Sequence, residues 1–145
     1  MAVDYLLSRV GGVQRAWERV RQLAEALRSG LVAEGAAALH DHGRVLCGIV
    51  SFTKARRWGR TGAAPAFLAT GWLGRPDLVL PQEGCCAEEV RRHLAGRRIN
   101  VSVSRIGSTR TDFEARGLDE VVRASVHYYN TREEVDALVR AVAEL

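Results

Sequence analysis

Between residues 13 and 34 the apolar side chains return every three or four positions. Val13, Trp17, Val20, Ala24, Leu27 and Leu31 form one stripe, with Ala16 and Leu23 beside it. Arg15, Glu18, Arg19, Arg21, Gln22, Glu25 and Arg28 fill most of the other face. This spacing predicts an amphipathic helix about five to six turns long. An apolar stripe of that length needs a facing layer. Gly35 stops the helix, and Gly11 and Gly12 separate it from an earlier helical turn or two over residues 3–9.

The facing layer reads as a sheet. Residues 37–40 form a short strand, and the HDH run with Gly43 supplies a turn. VLCGIVSF, 45–52, reads as a nearly continuous apolar strand with both faces covered. Residues 86–95 form a helix with Ala87, Val90 and Leu94 inward. In INVSVS, Ile99, Val101 and Val103 alternate with Asn100, Ser102 and Ser104, the period of a half-buried strand. Residues 105–119 are polar and irregular, and 121–126 form the last strand. Thr131 and Glu134 make a capping box. The helix it opens carries Val135, Leu138, Val139, Val142 and Leu145 on one stripe. The order α-β-β-(insert)-α-β-β-α predicts an α+β two-layer sandwich: a small, mostly antiparallel sheet with helices on one face.

Residues 54–84 break the pattern. They hold all three prolines, Pro65, Pro76 and Pro81, and the apolar piece AFLATGWL. A long loop without structure of its own is uncommon in a compact domain. The segment therefore reads as a Pro/Gly-rich insertion, partly ordered by local packing of Phe67, Leu68 and Trp72. The net charge of the chain is +4, and the insertion holds Lys54, Arg56, Arg57, Arg60 and Arg75 against Asp77 and Glu83. Its basic start beside Trp58 is compatible with an anionic partner, but no nucleic-acid motif accompanies it. A solvated loop is the expectation, without a nucleic-acid partner.

The 145 residues have the length of one domain. No apolar run approaches the ~20 residues of a membrane span. MAVDYLLSRVGGVQ lacks the basic and apolar regions of a signal peptide. A cytoplasmic location is expected. Cys47, Cys85 and Cys86 are then free thiols rather than a disulfide framework. Neither the adjacent cysteines nor His40 and His42 have the ligand spacing of a zinc site.

Strand parity singles out one residue. In VVRASV, Val122, Ala124 and Val126 point one way, and Val121, Arg123 and Ser125 the other. If helices cover the Val122 face, Arg123 projects from the opposite face. There its planar fork suits a carboxylate or phosphate. The alternative is an ordinary surface or interface ion pair.

The run VVRASVHYYNTREEVDALVRAVAEL resembles the C-terminus of class V aminotransferases, the fold-type I pyridoxal-phosphate enzymes that include cysteine desulfurases and selenocysteine lyases. Arg123, Ser125, Tyr129, Asn130 and Thr131 match the family's Arg-x-Ser, spacer and Tyr-Asn-Thr in order. RVRQLAEALRSGL resembles the helix leading into the family's small domain, GIVSF its central strand, and AEEVRRHLAGRRINVSVS its next helix and strand. The likeness covers residues 13–53 and 86–145.

The resemblance implies that Arg123 binds the α-carboxylate of an amino-acid or keto-acid substrate, with Arg98, Ser102 and Ser104 near the mouth of the site. It implies helix capping by Asn130 and Thr131, and packing at the strand–helix junction by His127, Tyr128 and Tyr129. It implies pyridoxal phosphate, but the family's Schiff-base lysine lies in a large domain, in a His-Lys context. The one lysine here is Lys54, in SFTKARRW, assigned to the insertion. A desulfurase cysteine would fall in SRIGSTRTDFEARG, which has none.

The expectation is the C-terminal small domain of a class V aminotransferase-like protein, transaminase or lyase, inactive alone. A separate large domain would supply the catalysis, or the chain would assemble with copies of itself. The alternative is a non-catalytic remnant or binding module. Without a partner, the N-terminal helix should leave an apolar patch exposed.

Overall fold

The structure is a computed structural model and describes residues 5–41, 43–54, 86–108 and 110–145. A π-type turn, Leu6–Val10, precedes helix α1, Gly12–Ala33. Gly11 and Gly12 adopt φ 86° and 92°, the left-handed backbone that breaks one helix from the next. Strand β1 is Ala37–Leu39 and β2 is Ile49–Lys54. Helix α2, Ala87–Gly96, leads to β3, Ser102–Arg105. A 3-10 turn, Ile106–Ser108, and helix α3, Arg110–Arg116, lead to β4, Glu120–Ser125. Helix α4, Arg132–Ala143, ends the fold. No helix among the described residues is long and apolar enough to cross a membrane.

The four strands lie in the order β1-β2-β4-β3, every pair antiparallel. The chain thus makes two outer strands and two central ones, and β4 is central. The core joins Leu23, Leu27 and Leu31 of α1 to Val50 and Phe52 of β2. Val90 and Leu94 of α2, Val122 and Ala124 of β4, and Val135 to Val142 of α4 complete it. Helices α1, α2 and α4 therefore cover one face, and the α+β sandwich expected from the element order is the architecture found.

Two close approaches fix how these layers meet. A side chain at Gly48 would come 2.5 Å from Val20 and 2.7 Å from the Val126 carbonyl oxygen. A side chain at Gly30 would come 2.8 Å from Val139, where α1 crosses α4.

Several expectations need correction. The strand placed at 45–52 begins at Ile49. Val45 is 79% exposed, and β2 alternates half-buried and buried positions rather than burying both faces. Residues 105–119 are not irregular throughout. Phe113 and Leu118 close with Ile106 and Val121 into a small second cluster on the face of the sheet away from the other helices. Arg28, placed on the polar face of the first helix, is buried. Its Nε donates to Asp41 Oδ2 at 2.8 Å, and its Nη2 donates to the carbonyls of Cys47 and Ile49 at 3.0 Å each. Asp41 Oδ1 accepts from the Ser51 amide at 2.8 Å. One ion pair thus ties the β1–β2 connection to α1.

Lys54 is also misplaced by the sequence reading. It is the last residue of β2, not the first of an insertion. Val50, Phe52 and Lys54 share the helix-facing side of the strand, and Lys54 is 9% exposed. The remainder of the proposed insertion, with Phe67, Leu68 and Trp72, lies outside the described residues, as do Cys85 and His42.

Candidate functional site

The second face of the sheet carries the polar side chains. Arg123 sits in the middle of β4, opposite Ser51 of β2 and Ser102 of β3. Val122 and Ala124, its neighbours along the strand, are buried against the helices, so Arg123 leaves from the other side. It is half-buried there. Its Nη1 donates to Ser104 Oγ at 3.4 Å, a long bond that leaves most of the fork's donors available. Ser102 Oγ donates to the Arg123 carbonyl, also at 3.4 Å. Among the described residues no carboxylate lies within ion-pairing distance of the Arg123 guanidinium. The residue is therefore a partly desolvated cation among hydroxyls, an arrangement suited to a planar anion.

Towards β1 the same face carries His40, whose Nε2 lies 2.9 Å from Thr53 Oγ1. Arg116 of α3 donates from Nη1 to the His40 carbonyl at 3.1 Å. The α3 helix, anchored through Phe113 on Val121, thus bounds the face on one side.

The sequence-predicted residues divide. Ser102 and Ser104 lie beside Arg123 on the neighbouring strand. Arg98 lies in the turn that closes α2, at φ 61°, with its amide donating to the Ala95 carbonyl. No hydrogen bond joins Arg98 to Arg123 or its serines. Arg97, beside it, pairs with Glu144 at the end of α4, so this turn belongs to the helix layer. Ser51 was missed by sequence reasoning. Its signal was the alternation in IVSFT, hidden by reading the whole run as apolar.

Asn130 and Thr131 cap α4. Thr131 Oγ1 accepts from the Glu134 amide at 3.2 Å, and Glu134 Oε2 accepts from the Thr131 amide at 3.0 Å. Asn130 Oδ1 accepts from the His127 amide at 2.8 Å. His127, Tyr128 and Tyr129 lie between β4 and α4 and pack on one another at that junction, near the surface. His127 and Tyr129 stack with centroids 5.2 Å apart, and Tyr129 is 67% exposed.

A second charged group lies at the start of α2. Glu88 bonds Arg91 and meets Arg105, and Arg91 holds its carboxyl below the ordinary 4.5. Glu120 Oε1 accepts from the Ala87 amide at 2.6 Å, satisfying the open end of the helix. These residues are engaged with one another and form the N-terminal support of α2. Among the described residues no group of three or more His, Cys, Asp or Glu could hold a metal.

Pyridoxal phosphate, implied by the family resemblance, needs an amine positioned for an imine. The sole lysine, Lys54, leaves β2 on the helix side, while Arg123 leaves β4 on the other. The residues present do not fit the cofactor.

No family model and no curated protein matches the sequence. Among solved structures, the apo structure of the cysteine desulfurase from Thermococcus onnurineus NA1 aligns over 95% of this chain with a TM-score of 0.67 and 19% identity. The fold is similar to part of a cysteine desulfurase. The alignment takes in 27% of that chain, so the present sequence spans about a quarter of its neighbour's length.

Proposed function

We propose that this chain is the substrate-carboxylate-binding small domain of a class V aminotransferase-like protein, and that Arg123 receives the carboxylate. The observation that carries this reading is an arginine on a central strand, flanked by Ser51 and Ser102, with no described carboxylate to neutralise it. The Arg-x-Ser and Tyr-Asn-Thr motifs support it, as does the likeness to part of a cysteine desulfurase. Ser104 steadies the guanidinium from β3. Amino acids or keto acids are the substrate class. The cofactor and its lysine come from a large domain outside this sequence, so the chain alone binds without turning over.

A non-catalytic binding module is the second reading, favoured by the absence of a fitting lysine. Both readings are separable by calorimetry with L-alanine and pyruvate. The small-domain reading predicts binding weaker than about 1 mM Kd, since one charge-assisted fork contributes only a few kcal/mol. Binding should be lost in Arg123→Ala and weakened in Arg123→Lys, which keeps charge without the fork. Heats that are absent, or identical in Arg123→Ala, would sink the proposal.

A further inference from the structure

We infer that Lys54 is a structural clamp between β2 and the last turn of α4, closed to imine chemistry in the folded chain. To form an imine, the amine nitrogen adds to an aldehyde carbon, and the adduct loses water as the C=N bond forms. The nitrogen must present a lone pair to a planar molecule the size of a pyridine ring. Lys54 offers neither access nor a free approach. Its Nζ donates to the Val142 carbonyl at 2.5 Å, beneath a side chain 9% exposed. Val142 itself is fully buried in the last turn of α4.

That carbonyl is one of the four that a helix leaves without an internal partner at its C-terminus. The negative end of the helix dipole favours a donor at this point. Lys54 thus satisfies a buried acceptor whose loss would be costly. The requirement also explains why a lysine ends a strand whose preceding inward residues are Val50 and Phe52.

The sheet adds a second barrier. Lys54 leaves on the helix face and Arg123 on the opposite face, with the backbone layer of the sheet between them. No single ligand can reach both. Imine chemistry on a substrate held by Arg123 therefore takes its amine from a group other than Lys54, the one lysine of these 145 residues. Only this last step rests on the carboxylate reading; the assignment of Lys54 does not.

The test treats the folded chain with pyridoxal 5′-phosphate, reduces with borohydride and locates the label by peptide mass spectrometry. Borohydride supplies the hydride that converts any imine to a stable secondary amine. Labelling at Lys54 should be at least about tenfold slower in the native chain than in guanidinium, as expected for an amine reached only by opening. Lys54→Met should lower Tm by about 3–8 °C through the unsatisfied Val142 carbonyl. Native labelling at Lys54 as fast as in denaturant overturns the inference, and so does an unchanged Tm in Lys54→Met. Calorimetry at Arg123 reads the other face and succeeds or fails independently.

Discussion

Asp41 is a turn residue whose carboxylate faces inward. It accepts from Arg28 Nε and from the Ser51 amide, and the two ionic side chains are 8% and 10% exposed. Removing one member of a buried pair strands the other charge, which usually costs about 3–5 kcal/mol. Asp41→Ala should therefore lower the denaturation midpoint sharply, with Asp41→Asn intermediate. Equal stability in all three chains would show that Arg28 finds another partner or reaches water. Ser51 lies directly opposite Arg123, so the same change should also disturb the serine beside the candidate site. This role was not legible in the sequence. Periodicity placed Arg28 among the polar residues of α1, and only the folded hairpin brings two carbonyls and a carboxylate to it. Arg123, by contrast, was legible because alternation in VVRASV fixes its face once the helices are placed.

Among the elements, α4 has the clearest local rule. Its capping box was readable as Thr131 with Glu134, and the structure forms both reciprocal bonds. Thr131→Ala should cost roughly 1 kcal/mol, read as a lowered Tm. Glu134 has its carboxyl held below 4.5, first by Asn130 and then by the Thr131 amide. Glu133 is also lowered, through backbone and Thr131 hydrogen bonds, and Glu88 through Arg91. A carboxyl lowered on folding stabilises the fold above its unfolded value, and that contribution is lost as pH falls through the lowered value. Helicity and Tm should thus decline as pH drops below about 4.5, more gently in Glu134→Ala, as circular dichroism can follow. The α3 element gave no comparable signal. It is seven residues long, with Phe113 as its only large apolar residue. Its helix is stabilised by packing Phe113 on Ile106, Leu118 and Val121, contacts that exist only after β4 is in place. The early start assigned to β2 has a similar cause. Apolar composition suggested a strand over 45–48, but Gly48 must pass within reach of Val20 and the Val126 backbone, and Val45 turns outward.

Across the whole molecule, the apolar stripe of α1 is covered along only part of its length. Leu23, Leu27 and Leu31 are buried, whereas Val13 is 67% exposed and Tyr5 and Leu7 stand out near it. The first half of α1 offers a hydrophobic surface of the kind that drives association. Light scattering should show an apparent mass rising with concentration, reduced by Val13→Glu; a concentration-independent monomer would refute this.

The strand order has a kinetic consequence. The central pairing sets Ile49–Phe52 against Val122–Ser125, so the ladder that joins the β1–β2 half to the β3–β4 half links residues far apart in sequence. Closing such a loop costs entropy that rises only slowly with length, so residues between the two halves add little to the penalty. Non-local pairings of this kind nevertheless slow folding. A chain emerging from the ribosome must hold α1 and β2 with their apolar faces only partly covered until β4 and α4 have been made. Stop-codon variants ending before Glu120 should accumulate as aggregates, while changes in the length of the segment between β2 and α2 should leave the folding rate nearly unaltered.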